Sequence, residues 1–281
     1  EIEMIREYFL AHGLDPDVPI HITELGVLPG DYGTDDYAAD LLLQAAGVAT
    51  LMYRYLEQGL TTTYHWVDHH LENSRKDVLV PNQPGKLTPY GNMMRMQTML
   101  KQNRVAAVAS PQTSEGIGVY ALASADETGV AIMIWNYDWP DWTWGDGSRY
   151  ESVGRDFAPV LNVFALPDSF LGKNMRVEHY LIDSTHSNYT YNLQRAELEK
   201  VVDKVEPAAG WYTATVPLEK NAIALVVLTP TDEEPRPSVV VSSPEPFTVV
   251  QGAVPVRANV DLPLGVRLEQ VQIALNGEVI Y

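Results

Sequence analysis

Cysteine is absent from the 281 residues, so neither a disulfide frame nor a thiolate metal site is available. No apolar run approaches the roughly 18 residues that suggest a membrane-spanning helix. Basic residues are scarce: 19 Lys and Arg stand against 37 Asp and Glu, for a net charge of −18. Nucleic acid and anionic membranes are held through Lys/Arg patches, so this polyanion suits neither. No signal peptide is recognisable, and Glu1 lies inside a helical pattern. The expectation is therefore that upstream polypeptide has been removed or lies on another chain.

What is present is an ordinary globular balance, 46% hydrophobic and 20% charged, with length for two or three domains. Six Trp and fifteen Tyr suit a neutral ligand that stacks on aromatic rings, although most aromatics of a globular chain fill its core. One stretch organises the rest, Pro19-Ile20-His21-Ile22-Thr23-Glu24-Leu25-Gly26. The apolar run from Val18 to Ile22 leads into one carboxylate, Glu24, and then into a Gly/Pro-rich turn, 28–33. Before it, Ile2, Ile5, Phe9 and Leu10 stand near helical spacing, closed by Gly13. After it, Asp35 to Gln58 predicts a long helix, with Thr34 as N-cap and Gly59 as stop. Thr61 to Trp66 is β-branched and aromatic and predicts a second buried strand; Asn92 to Gln102 predicts another helix. The order αβαβα is that of a parallel sheet wrapped by helices. An α/β barrel places reactive groups at the C-terminal tips of its strands, where Glu24 falls. An acid ending a strand can equally cap or pair there.

Beyond Asn103 the period changes. Strand-like runs at Gly118–Ala123, Val130–Tyr137, Val160–Leu166, Met175–Ile182, Trp211–Val216 and Ala222–Leu228 predict an antiparallel β-sandwich, with Ala196–Val202 as a short helix or turn. Thr229 to Pro237 has the proline and like charge of an extended linker. Ser238–Val241, Phe247–Val250, Val254–Val260 and Val271–Leu275 follow as short strands, and Asn276-Gly277 is a type I′ hairpin signal. The expected division is residues 1–104 as the C-terminal part of a (β/α)8 TIM barrel, 105–230 as a sandwich, 231–237 as linker and 238–281 as a partial Ig-like module.

Four stretches together carry a family resemblance: "PIHITELG", "TTTYHWVDHH", "GKLTPYGNMMRMQTML" and "VEHYLIDSTHSN". In order and spacing they resemble the C-terminal half of retaining glycoside hydrolases of family 39, the β-xylosidase/α-iduronidase group, over residues 1–230. The resemblance implies that Glu24, which follows Thr23, is the nucleophile that attacks the anomeric carbon. It implies substrate contact for Asp68, a sugar platform for Trp66, and a substrate-binding surround that includes Tyr64, His65 and His21. The family usually has Tyr-Trp where this chain has Tyr64-His65, which leaves the sugar preference open. Retaining chemistry needs a second carboxyl roughly 5–5.5 Å away. The family's acid/base is a Glu after Asn at the end of strand four, and no Asn-Glu pair precedes Glu24.

The expected partners are therefore a carbohydrate substrate and a companion chain or segment supplying the N-terminal half of the barrel, in an extracellular or periplasmic setting. His65, Asp68, His69 and His70 are metal-binding types, but their spacing matches no motif with a mechanism, and no metal or cofactor is expected. His179 and His186 are expected to be structural, Trp135 to pack, and Asn188-Tyr189-Thr190 is a formal glycosylation sequon. The alternative function is a non-catalytic carbohydrate-binding or scaffold protein with a barrel remnant.

Overall fold

Two short parallel strands are followed, in sequence, by a large antiparallel sheet that is covered on both faces. The computed structural model describes residues 2–25, 41–60, 62–65, 78–80, 82–113, 116–138, 142–143, 149–150, 154–244, 248–262, 266–275 and 278–279. The chain is mostly sheet with few helices. None of the described helices is long and apolar enough to cross a membrane.

Helix α1 (Ile2–Ala11) forms where its spacing predicts and closes at Gly13, whose φ is +70°. Only Ile2 is buried; Ile5 and Leu10 face solvent. Strand β1 (His21–Leu25) pairs in parallel with β2 (Thr62–His65). Between them in sequence lies α2 (Leu41–Glu57). The expected start of that helix, Thr34 to Asp40, lies outside the described residues. Its end is the expected one: Gly59 takes φ +70°, a conformation costly for a residue with a Cβ. That turn lets the Gly59 and Leu60 N–H groups donate to the Leu56 and Tyr55 carbonyls.

Helix α3 (Pro89–Gln97) starts and ends earlier than the expected Asn92–Gln102. Thr88 is the N-cap, its side-chain oxygen accepting from the Gly91 N–H at 3.0 Å, and Pro89 fills the first turn, where its missing N–H costs nothing. Past Thr98 the chain extends into β3 (Asn103–Val105).

Then come β4 (Gly118–Asp126), β5 (Gly129–Tyr137), the two-residue pair β6 (Trp142–Thr143) and β7 (Arg149–Tyr150), and β8 (Val160–Phe164). β9 (Asn174–Ile182), β10 (Glu199–Pro207), β11 (Trp211–Thr215) and β12 (Ile223–Thr231) follow. Six of these make one sheet, ordered β10-β9-β12-β5-β4-β3, with antiparallel neighbours throughout. Period-two alternation divides its residues between two cores. Ala131, Met133, Trp135 and Tyr137 of β5 join Ile223, Leu225 and Val227 of β12 against α2 and α3. Val130, Ile132 and Ile134 join Ala224, Val226 and Leu228 on the opposite face, with Tyr212 and Leu161 from the β8–β11 pair. With apolar layers on both sides, β5 is buried at all nine positions, which is why its sequence is a continuous apolar run.

Two expectations are corrected here. The segment 196–202 is not a helix: a 3-10 turn at Leu193–Arg195 precedes β10, which starts at Glu199. β10 is an edge strand, and its valines alternate irregularly with charges that hide the strand signal. Those charges pair across to β9, Lys200 with Glu178 at 2.7 Å and Asp203 with Arg176 at 2.9 Å, and guard the edge against further pairing. The linker is shorter than expected, since β12 runs through Thr231. Its acidic residues are also held down: Glu233 receives the Arg176 guanidinium at 3.2 Å and, at its carbonyl, the Asn174 amide at 2.9 Å.

After the linker, β13 (Ser238–Ser243) pairs with β14 (Arg257–Asp261) and β15 (Ala274–Leu275) with β16 (Glu278–Val279), all antiparallel. Residues 248–256 form no strand, and the Asn276-Gly277 turn lies outside the described residues.

Candidate functional site

The β1–β2 ladder brings Glu24 of β1 and Tyr64 and His65 of β2 to one edge. The strands are parallel, so their C-terminal ends lie on the same edge. His21 pairs with Thr62, Ile22 with Thr63 and Leu25 with His65, so three steps on β1 match two on β2. The extra residue is a bulge at Thr23-Glu24. Bulges locally re-aim a strand and recur beside active sites. Leu25, 4% exposed, belongs to the core formed with α2 and α3, so the strand is anchored directly after Glu24.

Tyr64 and His65 end β2 at the same edge as Glu24, and Tyr64 is 53% exposed. His21 is at the other end of the ladder, exposed, three residues and roughly 10 Å of strand away from Glu24. Trp66, Asp68, His69 and His70 lie outside the described residues, as do Trp139 and Trp144. Beside β2 is a cavity of about 260 Å³, lined by Thr62, Thr63, Tyr53, Gln97, Met133 and Trp135 among others. Among the described residues its lining is mainly apolar and includes no carboxylate.

Trp135 packs as expected. It is 1% exposed, stacks on Tyr120 at 5.5 Å between ring centroids, and donates its indole N–H to Thr50 Oγ1 at 2.8 Å. Residues that pattern reading did not single out tie α3 to the sheet. Asn92, fully buried, donates through Nδ2 to the carbonyls of Ser187 and Ala196, each at 3.0 Å. The Thr88-Pro89 cap was the available signal for where this helix begins. Asn188 of the sequon is 5% exposed and donates its amide to the Asp183 carbonyl, so the folded chain does not present it to a glycosyl donor.

His179 of β9 and His186, in the bend that follows that strand, each have a side-chain partner, and their pKa values are shifted in opposite directions. His179 contacts the Tyr212 hydroxyl at 2.8 Å, and burial pushes its pKa down to about 4. The Asp183 carboxylate, 3.0 Å from His186 Nδ1, raises the His186 pKa. Burial acts to raise Asp183, but hydrogen bonds from His186 and Thr185 outweigh it and hold the carboxyl low. The folded state thus binds fewer protons than the unfolded chain at His179 and more at His186. The His179 contribution is full above pH about 6.5 and is lost as pH falls towards 4; that of His186 is full below about 6.5 and is lost as pH rises through its folded value. Urea midpoints measured from pH 5 to 8 are expected to decline less on the acid side in His179→Gln and less on the alkaline side in His186→Asn. Parallel curves for wild type and both variants would contradict this.

No protein-family model matches this chain, and no curated protein does either. Solved structures do. The chain is similar to the GH39 enzyme from Xanthomonas axonopodis pv. citri at 15% identity and TM-score 0.63, covering 82% of this chain and 48% of that one. It is similar to a monomeric β-xylosidase from Caulobacter crescentus CB15 at 15% identity and TM-score 0.61, covering 82% and 49%. A bacterial orthologue of human α-L-iduronidase follows at 13% identity and TM-score 0.61, covering 85% and 47%. At these identities the likeness is one of fold. Over 82–85% of its length the chain shares the fold of these glycoside hydrolase structures, and it spans about half the length of those enzymes.

Proposed function

We propose that these residues are part of a retaining glycoside hydrolase and carry its nucleophile. In this reading β1 and β2 are the last strands of a (β/α)8 barrel, the sheets of residues 105–230 form a β-sandwich beside it, and residues 238–281 belong to an Ig-like module. The observation that supports it most is the position of Glu24: at the bulged C-terminal end of β1, on the edge where the parallel β2 also ends. The similarity to glycoside hydrolase structures adds the fold context.

The chemistry is double displacement. The Glu24 carboxylate attacks the anomeric carbon as the glycosidic bond breaks, giving a glycosyl ester; water then cleaves that ester and restores the carboxylate. Glu24 must be ionised to attack, so the complete site supplies hydrogen bonds or positive charge to the carboxylate. Protonation of the leaving oxygen requires a second carboxyl, which we place on polypeptide outside these residues, since no Asn-Glu pair precedes Glu24. Tyr64, His65, Trp66 and Asp68 would contact the sugar, whereas His21 stands at the opposite end of the ladder.

The test is covalent trapping in the complete enzyme. A fluorinated glycosyl fluoride forms a slow-hydrolysing ester and needs little acid assistance. Its mass is expected on the peptide containing Glu24. Labelling of a different carboxylate would refute the assignment.

A further inference from the structure

The β8–β11 pair turns one face to the core and the other to solvent. Strand alternation sends Leu161, Val163 and Tyr212 inwards. It leaves Val160, Asn162, Phe164, Trp211, Thr213 and Thr215 on the outer face, all six exposed. The register sets them in three cross-strand pairs: Phe164 opposite Trp211, Asn162 opposite Thr213 and Val160 opposite Thr215. Phe164 is 76% exposed and Trp211 52%, and among the described residues no other Phe or Trp is exposed. The two rings that the fold leaves in water are therefore neighbours, with Cβ atoms about 5 Å apart.

The backbone under this strip is fixed. Hydrogen bonding between the strands continues past both of its ends: the Leu166 N–H donates to the Gly210 carbonyl at 3.2 Å, and the Val216 N–H to the Pro159 carbonyl at 3.0 Å. Beneath it, buried Tyr212 packs into the core that β5 and β12 share. In the middle of the strip, Thr213 Oγ1 lies 3.0 Å from both the Leu161 carbonyl and Asn162 Oδ1. Among the described residues Asn162 Nδ2 has only a 3.5 Å contact with the Val160 carbonyl, too long to hold it against a better acceptor. The strip thus offers two exposed rings at one end and an available amide donor beside them.

We propose that this strip is a binding track for an extended, uncharged chain of pyranose sugars. A pyranose has C–H faces that lie against aromatic rings and a rim of hydroxyls; Phe164 and Trp211 take the first, Asn162 and Thr213 the second. Rings with two side-chain torsions bring contact area at little entropic cost. None of the six residues is charged, so a neutral ligand leaves no ion stripped of water. A chain of net charge −18 repels polyanions. The strip measures roughly 13 Å along two strands, on the order of 150 Å². A stable protein partner or a second copy of this chain needs roughly 800 Å² on each side, whereas a linear sugar needs only a narrow track. The strip belongs to a different sheet from β1 and β2, so the inference does not use Glu24.

The probes are xylohexaose and cellohexaose, each titrated calorimetrically into the 281-residue chain, with a hexamer of galacturonic acid as the charged comparison. Saturable binding of a neutral probe is expected, accompanied by a shift of the Trp211 indole N–H resonance, and none of the acidic hexamer. Trp211→Ala and Phe164→Ala are each expected to weaken binding about tenfold. Thr213→Val keeps the side-chain shape, deletes the hydroxyl, and is expected to weaken it about threefold. The far-ultraviolet spectrum and unfolding midpoint show that each variant keeps the fold. No saturable binding of either neutral probe, full affinity in both aromatic variants, or equal affinity for the acidic hexamer would overturn the proposal. So would resonance shifts confined to His21–Leu25 and Thr62–His65, which place the sugar at the β1–β2 edge and leave the proposed nucleophile untouched. Should one aromatic variant fail to fold, the other and the indole resonance still decide.

Discussion

Glu24→Gln is expected to lower turnover of the complete enzyme by a factor on the order of 10³ or more while substrate still binds. Gln is nearly isosteric with Glu, so the bulge at Thr23-Glu24 and the anchor at Leu25 are preserved. What disappears is the negative charge that forms the ester. In Glu24→Ala, which leaves room beside the anomeric carbon, an exogenous small anion such as azide is expected to restore part of the rate by attacking in place of the missing carboxylate, yielding a glycosyl azide of inverted configuration. An unchanged rate would remove the nucleophile from this position and with it the mechanism.

Trp135→Ala is expected to destabilise the fold by about 3–5 kcal/mol, the usual cost of emptying a large buried aromatic site. The indole joins two layers: it lies on β5, stacks on Tyr120 of β4, meets the Tyr53 ring of α2 edge-on at 5.9 Å, and bonds to Thr50 of the same helix. Thr50 in turn donates to the Ala46 carbonyl at 2.8 Å, so its hydroxyl is fixed as an acceptor for the indole. Trp211→Ala provides the comparison, since that ring is 52% exposed at the sheet edge; about 1 kcal/mol or less is expected there. Urea unfolding followed by circular dichroism measures both. Similar losses at the two positions would mean that Trp135 does not link the layers.

The sequence was informative where one physical cause dominates. Continuous burial made β5 and β12 visible as apolar runs, and the glycine demanded by a left-handed turn marked the end of α2. Where two causes compete it was less so. β10 is an edge strand whose charges serve cross-strand pairing and edge protection, and such alternation resembles a solvated turn. The start of α3 depends on Thr88 and Pro89, a cap that lies outside the apolar pattern and is easily passed over. At the candidate site the parallel pairing of β1 and β2 followed from the αβαβα order. The bulge did not, because one extra residue in a ladder is set by the partner strand as well as by the residues themselves.

The order of strands also governs how the protein is made. The centre of the large sheet is β12, whose register joins Ile223 both to Trp135 of β5 and to Ile182 of β9. The first contributor to that sheet, β3, is synthesised more than a hundred residues before β12 ends at Thr231. On the ribosome, β5 therefore emerges with an apolar edge that has no neighbour until the chain has grown past Thr231 and cleared the exit tunnel. Pairing over such sequence distances is slow, and the waiting intermediate is the species most exposed to aggregation and most in need of a chaperone.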